Sequence, residues 1–472
     1  MRTGPNCRVD VRTAVSDVLA SSVGLATFAR LRIGNYFQRE TLPPQYDSVS
    51  MGLNTNDRSI AGFTMAGHSL VHWFETSIPI FLVVWLAEFD VSLLVLGLVL
   101  APSYGLFGFG ALPAGVLADR FGAKRLILLC LAGMSAAFVL IAGAAYVDSI
   151  YAIAFGLLLW GLAASVYHPA GLALISTGVE ERGTVFAWHG IAGNIGIALG
   201  PFVAATLLIF LEWQYVAAIL AIPGFIAAVY GLQADFDATA AVEENVDAGS
   251  DDALTLGDFL SNSRTLFASA FAVVFVIVTF EGLFYRGMLT YLPEILHGLP
   301  VMEGIDIGAG LEGIEPADYI YVGLLVVGMA GQYAGGKLTD RFAAERGLMV
   351  IFAILALLAL VFVPVSSIGL VPLLALCGVI GFFLFAIQPF YQEAVAVYTP
   401  ADTRGLSYGY TYLGEFGLGS ASIAAGGFVL GSFELVYFFA MLSGFALIGA
   451  ALSIGLHVAV SHRQSTTTDA SA

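Results

Sequence analysis

Twelve apolar blocks of roughly 20 residues, the length an α-helix needs to cross a hydrocarbon core, follow one another from about position 60 to 460. Each is broken off by Gly, Pro or charge, and the ten-residue alternation of a transmembrane barrel does not occur. In lipid every backbone polar group must be satisfied internally, so a chain of this kind can fold only as helices packed on helices. The blocks fall at 62–86, 92–117, 125–147, 150–177, 184–210, 214–232, 265–297, 317–338, 347–366, 370–398, 405–431 and 435–460. Composition agrees: 58% of residues are hydrophobic and 11% charged, against about 25% charged in soluble domains. The expected class is an all-α integral membrane protein.

Charge tests the count. With both ends inside, the even-numbered loops and the tails must face the cytoplasm, and these hold Arg58, Arg120, Lys124, Arg125, Arg182, Arg264, Lys337, Arg341, Arg346, Arg404 and Arg463. The odd-numbered loops hold no Lys or Arg, only acids such as Glu88, Asp90, Asp148, Glu212 and Glu434. This is the positive-inside pattern of a multi-pass protein with cytoplasmic termini, expected in the plasma membrane.

Residues 1–50 differ from the rest, with Arg2, Arg8, Arg12, Arg30, Arg32 and Arg39 against four acids. They read as upstream sequence before a true start at Met51, or as a disordered arm, and not as a signal peptide. Asp235, Asp237, Glu243, Glu244, Asp247, Asp251, Asp252 and Asp258 crowd one polar stretch in a chain of net charge −17. That surplus argues against a nucleic-acid partner and fits a very salty cytoplasm, where screening removes self-repulsion. Cys7, Cys130 and Cys377 imply no disulfide framework or zinc site.

The two halves echo each other, as internal duplication leaves behind. Phe74-Glu75 with Trp85-Leu86 and Glu88 matches Phe280-Glu281 with Tyr291-Leu292 and Glu294. Pro169 pairs with Pro389, and Arg182-Gly183 with Arg404-Gly405. The expected plan is an arm at 1–58, a six-helix bundle at 59–232, a mobile acidic linker at 233–262, a second bundle at 263–461 and a tail at 462–472.

Between blocks two and three lies Gly115-Val-Leu-Ala-Asp119-Arg120-Phe-Gly122-Ala-Lys124-Arg125, which returns in reduced form as Gly336-Lys-Leu-Thr-Asp340-Arg341-Phe342. This pattern resembles the signature loop of the major facilitator superfamily of secondary transporters over roughly residues 60–460. The resemblance implies two pseudo-symmetric bundles rocking around a midplane site, with these loops as gates. The second copy departs at Ala343, where the first has Gly122.

Ionisable residues inside the membrane are costly, and so are functional candidates. In block one His68, His72 and Glu75 recur at i, i+4 and i+7, on one helix face. They read as a proton-handling stripe, as a buried hydrogen-bond network, or as metal ligands without a partner motif. Block seven carries Glu281, Tyr285 and Arg286. Five residues put Glu281 and Arg286 about 140° apart on a helix, so each needs a partner elsewhere. Glu75, Glu393 and Glu415 are the available carboxylates, and Arg286 reads as an anion-binding or a structural group. His168, His189, Asn194 and Gln388 complete the candidate cavity wall. Gly193, Gly196, Gly200 and Pro201 form a small-residue packing face on block five, with a proline able to bend it.

His168-Pro169, followed by Gly193-Asn-x-Gly196-x-x-x-Gly200-Pro201, resembles the fosmidomycin-resistance-type efflux branch of the superfamily. The Gly-Gly usual after that proline is Ala204-Ala205, and the arginine common in segment four is missing near Leu157. The expectation is a secondary active transporter of a small organic solute, exporting by proton-coupled alternating access. Import of a small anion, or a receptor with a transporter fold, are the alternatives. A Gly-x-x-x-x-Gly-Lys-Ser/Thr loop and a nucleophile–base cluster are both missing, so neither direct ATP use nor an enzyme is expected, and no cofactor. The expected partners are lipid, protons and a small molecule, with the chain a monomer.

Overall fold

The computed structural model describes residues 53–241, 256–303, 305, 315–400 and 403–469, with side chains throughout these except at 119, 256, 404, 405 and 462–469. Among the described residues there is no strand. The first half contains α1 (Thr55–Glu88), α2 (Leu93–Phe121), α3 (Ala123–Gly143), α4 (Ile150–Ala164), α5 (Tyr167–Gly178), α6 (Arg182–Leu208) and α7 (Trp213–Gln233). A connecting helix, α8 (Leu256–Phe267), leads to α9 (Phe271–His297), α10 (Pro316–Thr339), α11 (Ala344–Ser366), α12 (Leu370–Tyr398), α13 (Arg404–Tyr412), α14 (Ala421–Ser432) and α15 (Leu435–Asp469). With α4–α5 and α13–α14 each counted as one interrupted span, there are twelve. Eleven are long and apolar enough to cross a membrane by composition; α10 falls short because it carries Asp318, Gln332 and Lys337.

Packing repeats between the halves. In the first, α1 lies on α6, α2 on α4, and α3 on α7; in the second, α9 lies on the α13–α14 span, α10 on α12, and α11 on α15. The corresponding pairs are spans 1·5 and 7·11, 2·4 and 8·10, 3·6 and 9·12. The halves meet where α2 packs on the α13–α14 span, α6 on α10, and α1 on α9. A Cβ on Gly108 would collide with the backbone of Gly417, so only glycine permits the α2 approach there. Gly196 and Gly200 bring α6 against the backbone of Ser69 and Trp73 on α1 in the same way, and α6 runs through Pro201 as one helix.

Several expected boundaries are corrected. The first helix begins at Thr55, capped by the Asn54 side chain accepting from the Asp57 amide at 2.7 Å, so 55–58 belong to it and not to an arm. Residues 1–52 lie outside the described residues. The fourth block is two helices and not one, because Pro169 has no N–H to continue the ladder from the preceding turn. The eleventh is interrupted by a π-helical turn, Leu413–Leu418. Helix α15 continues to Asp469, past the expected start of a tail at 462.

The linker differs most. Its first part, expected to be mobile, is strapped to the basic end of the first bundle. Asn56 donates to the carbonyls of Gly178 (2.8 Å) and Asp237 (3.1 Å) and accepts from the Asp237 amide (2.8 Å). Lys124 donates to Ala234 O at 2.5 Å, Thr177 to Ala238 O at 2.7 Å, and Arg182 to Ala241 O at 3.0 Å. Residues 242–255 lie outside the described residues, and α8 begins at Leu256, inside the range expected for linker.

Candidate functional site

Where α1 faces α9, a chain of polar side chains crosses from one half to the other. Arg286 Nη1 donates to Glu75 Oε1; the second carboxylate oxygen, Oε2, lies 2.6 Å from His72 Nδ1. His72 Nε2 lies 3.2 Å from His68 Nε2, and His68 Nδ1 lies 2.7 Å from the carbonyl oxygen of His189. The helical spacing of His68, His72 and Glu75 makes the chain continuous along α1, and α9 supplies the cation at its end. Glu75, His168, His189, Glu281, Arg286 and Glu415 are all buried.

The bonds set the proton positions. A carbonyl can only accept, so His68 Nδ1 carries hydrogen; the Nε2–Nε2 and His72–Glu75 contacts offer two further proton positions. That makes three, where neutral imidazoles beside an ionised carboxylate hold two. The chain as arranged therefore offers one proton position beyond that count.

Aromatic groups wall it in. Tyr104 on α2 donates to the Glu75 carbonyl at 2.8 Å. Tyr167 on α5 donates to the Thr64 carbonyl, so it accepts from His189 Nε2 at 3.1 Å. His189 stacks on His68 with ring centroids 3.8 Å apart. His168 packs edge-on to His68 and 4.7 Å from Tyr412, with its Nδ1 buried and unpaired. The rings of Phe416, Tyr104 and Tyr285 lie 4.1, 5.1 and 5.1 Å from the Arg286 guanidinium carbon.

Of the three carboxylates available to Arg286, Glu75 takes it, and Glu393 is exposed on α12. Glu415 sits on the π-helical turn and accepts from Tyr391 at 2.9 Å. Glu281 is buried with both oxygens unpaired. Asn194 and Gln388 are half-buried and join none of these bonds. Gly193 lies against the His68 ring. Sequence reasoning did not single out Tyr104, Tyr391, Tyr412 or Phe416, because nothing distinguishes them from the other aromatics of an apolar chain. Nitrogens of His68, His72 and His168 lie within 4.8 Å of one another, but two of them already face each other at 3.2 Å, and a metal ion there would break that contact.

At the loops, Gly115 and Gly336 have open space around them, and Arg120, Arg125, Asp340 and Arg341 are exposed without ion pairs among the described residues. The Asp119 side chain lies outside the described residues. Lys124 reaches the linker, through the Ala234 bond described above and with its Nζ 5.1 Å from the centre of the Phe236 ring. A cavity of about 720 Å³ opens at the opposite end, where the loops hold no Lys or Arg, between Glu88, Glu212, His297, Glu315 and Asp318, and not around Arg286.

A profile described as Major Facilitator Superfamily matches residues 64–424. The chain belongs to that superfamily. It is 24% identical over 383 residues, 79% of this chain and 87% of the other, to an uncharacterized superfamily transporter of Bacillus subtilis (strain 168), YqjV. A nitrite extrusion protein of the same organism is 26% identical over 298 residues, 59% of this chain and 66% of the other. The crystal structure of the nucleoside transporter NupG superposes with a TM-score of 0.64 at 14% identity, covering 86% of this chain and 99% of that one. A bacterial homologue of the human lysosomal transporter Spinster, inward-facing and occupied, gives 0.64 at 15% identity, over 86% and 98%. These likenesses show a shared fold. The protein is a multi-pass membrane transporter of the superfamily and not an enzyme.

Proposed function

We propose that this transporter exports a small organic solute across the plasma membrane in exchange for protons, by alternating access with both termini in the cytoplasm. The observation that carries the reading is the chain of titratable side chains from Arg286 through Glu75 and His72 to His68, which lies across the meeting of the halves. The groups facing it include Tyr104 from α2, Tyr167 and His168 from α5, His189 from α6, Tyr285 and Arg286 from α9 and Tyr321 from α10, with Glu281 and Glu415 within electrostatic reach of the guanidinium. Imidazoles exchange protons near neutral pH. When the halves part, Arg286 leaves Glu75, and the carboxylate is free to take a proton through His72. The proton thus depends on the same movement that exposes the site.

Export is supported by the likeness to a nitrite extrusion protein and by the His168-Pro169 and Gly193–Pro201 motifs. The test is flux in proteoliposomes under an imposed pH gradient. Wild type should accumulate or release solute with the gradient; Glu75→Gln should lose pH-driven flux and keep solute exchange. Unaltered proton dependence in Glu75→Gln would clear Glu75 of the role.

A further inference from the structure

We propose that the solute is, or carries, a planar two-oxygen anion, a carboxylate or an inorganic oxyanion of that shape, gripped by the Nε–Nη2 edge of Arg286. The inference rests on the transport reading and names its substrate class. Arg286 is buried, at 4% exposure, and uses only Nη1, on Glu75. Its Nε and Nη2 have no partner and no contact with solvent. In a guanidinium, Nη2 lies on the same side as Nε, so their two N–H bonds run parallel at the spacing of the two oxygens of a carboxylate. One complete bidentate fork is therefore left empty in the interior, where unpaired donors are costly.

The surroundings limit what fills it. Phe416, Tyr104 and Tyr285 crowd the guanidinium carbon and leave little room for a bulky or strongly hydrated ion. Glu281 does not take the place, since both its oxygens remain unpaired. Glu75 occupies the Nη1 position as an internal carboxylate, and its other oxygen already rests on His72. An anion on the free edge shares the guanidinium with Glu75, so the two negative groups compete for one cation.

The experiment is calorimetric titration of the purified full chain in detergent with sodium acetate, nitrite, chloride and sulfate at matched ionic strength. Acetate and nitrite should bind at least about tenfold more tightly than chloride or sulfate, and whichever of the two binds better marks the source as organic or inorganic. Arg286→Lys keeps the charge without the fork and should abolish the preference. Glu75→Gln removes the charge of the internal competitor and should tighten acetate or nitrite binding about tenfold, an effect of opposite sign that does not depend on how well Arg286→Lys folds. Equal binding of all four anions, or weaker planar-anion binding in Glu75→Gln, would overturn the assignment. Planar anions that bind without any flux would remove the transport reading and leave this one. A pH-driven flux that neither acetate nor nitrite inhibits would do the reverse.

Discussion

Among the buried tyrosines, Tyr167 and Tyr321 separate hydrogen bonding from mere burial. Tyr167 joins three helices through its hydroxyl, to Thr64 on α1 and His189 on α6, from its own place on α5. Tyr321, on α10, buries a hydroxyl with no partner. Tyr167→Phe should therefore destabilise the protein by about 1–3 kcal/mol, since it strands the His189 N–H, whereas Tyr321→Phe should be neutral or stabilising. Thermal unfolding in detergent reads both, and equal shifts would show that the Tyr167 bonds contribute nothing. The sequence lets part of this be read. A spacing of four and three residues puts His68, His72 and Glu75 on one helix face whatever they pack against, so their continuity along α1 follows from helical geometry. The choice of Glu75 for Arg286 does not follow, because the partners are 211 positions apart and three carboxylates could have competed. That choice is made by the packing of α1 on α9.

At the level of whole elements, apolar length and charge placed the helices, while the irregular points escaped. The π-helical turn that carries Glu415 has no marker among Leu413–Leu418 beyond its glycines, and the strap at 234–241 is built mainly from backbone carbonyls, which leave no trace in a sequence. A stretch rich in acid reads as solvated and mobile, yet Asn56 reaches it from the first turn of α1 and pairs both the N–H and the carbonyl of Asp237. Asn56→Ala should raise hydrogen exchange at the Asp237 amide by roughly tenfold, the equivalent of one ordinary hydrogen bond. Exchange as slow as in wild type would mean that Lys124, Thr177 and Arg182 hold the strap without it.

For the molecule as a whole, the acidic surplus and the duplication make separate demands. A net charge of −17 repels itself in dilute buffer, so thermal stability should climb steadily up to molar salt if the protein works in a salty cytoplasm; indifference to salt would remove that reading. Duplication constrains movement instead. The contacts between halves, α2 on the α13–α14 span and α6 on α10, exchange with each other when the halves are interchanged, so rocking that opens one end must strain the same pair of seams. At the end whose loops hold no Lys or Arg, the first seam is closed. Gly427 approaches the Leu93 carbonyl too closely for any side chain, and a Cβ on Gly431 would stand 3.8 Å from the Leu94 amide nitrogen. Leu94→Cys with Gly431→Cys, in a chain whose natural cysteines are replaced by serine, should form a disulfide under mild oxidation. If the seam opens once per cycle, oxidation should bring flux to background and reduction should restore it, while anion binding measured in detergent changes little. Full flux through the cross-linked protein would show that the halves never part at this end, and alternating access would have to be abandoned for a movement confined to other elements.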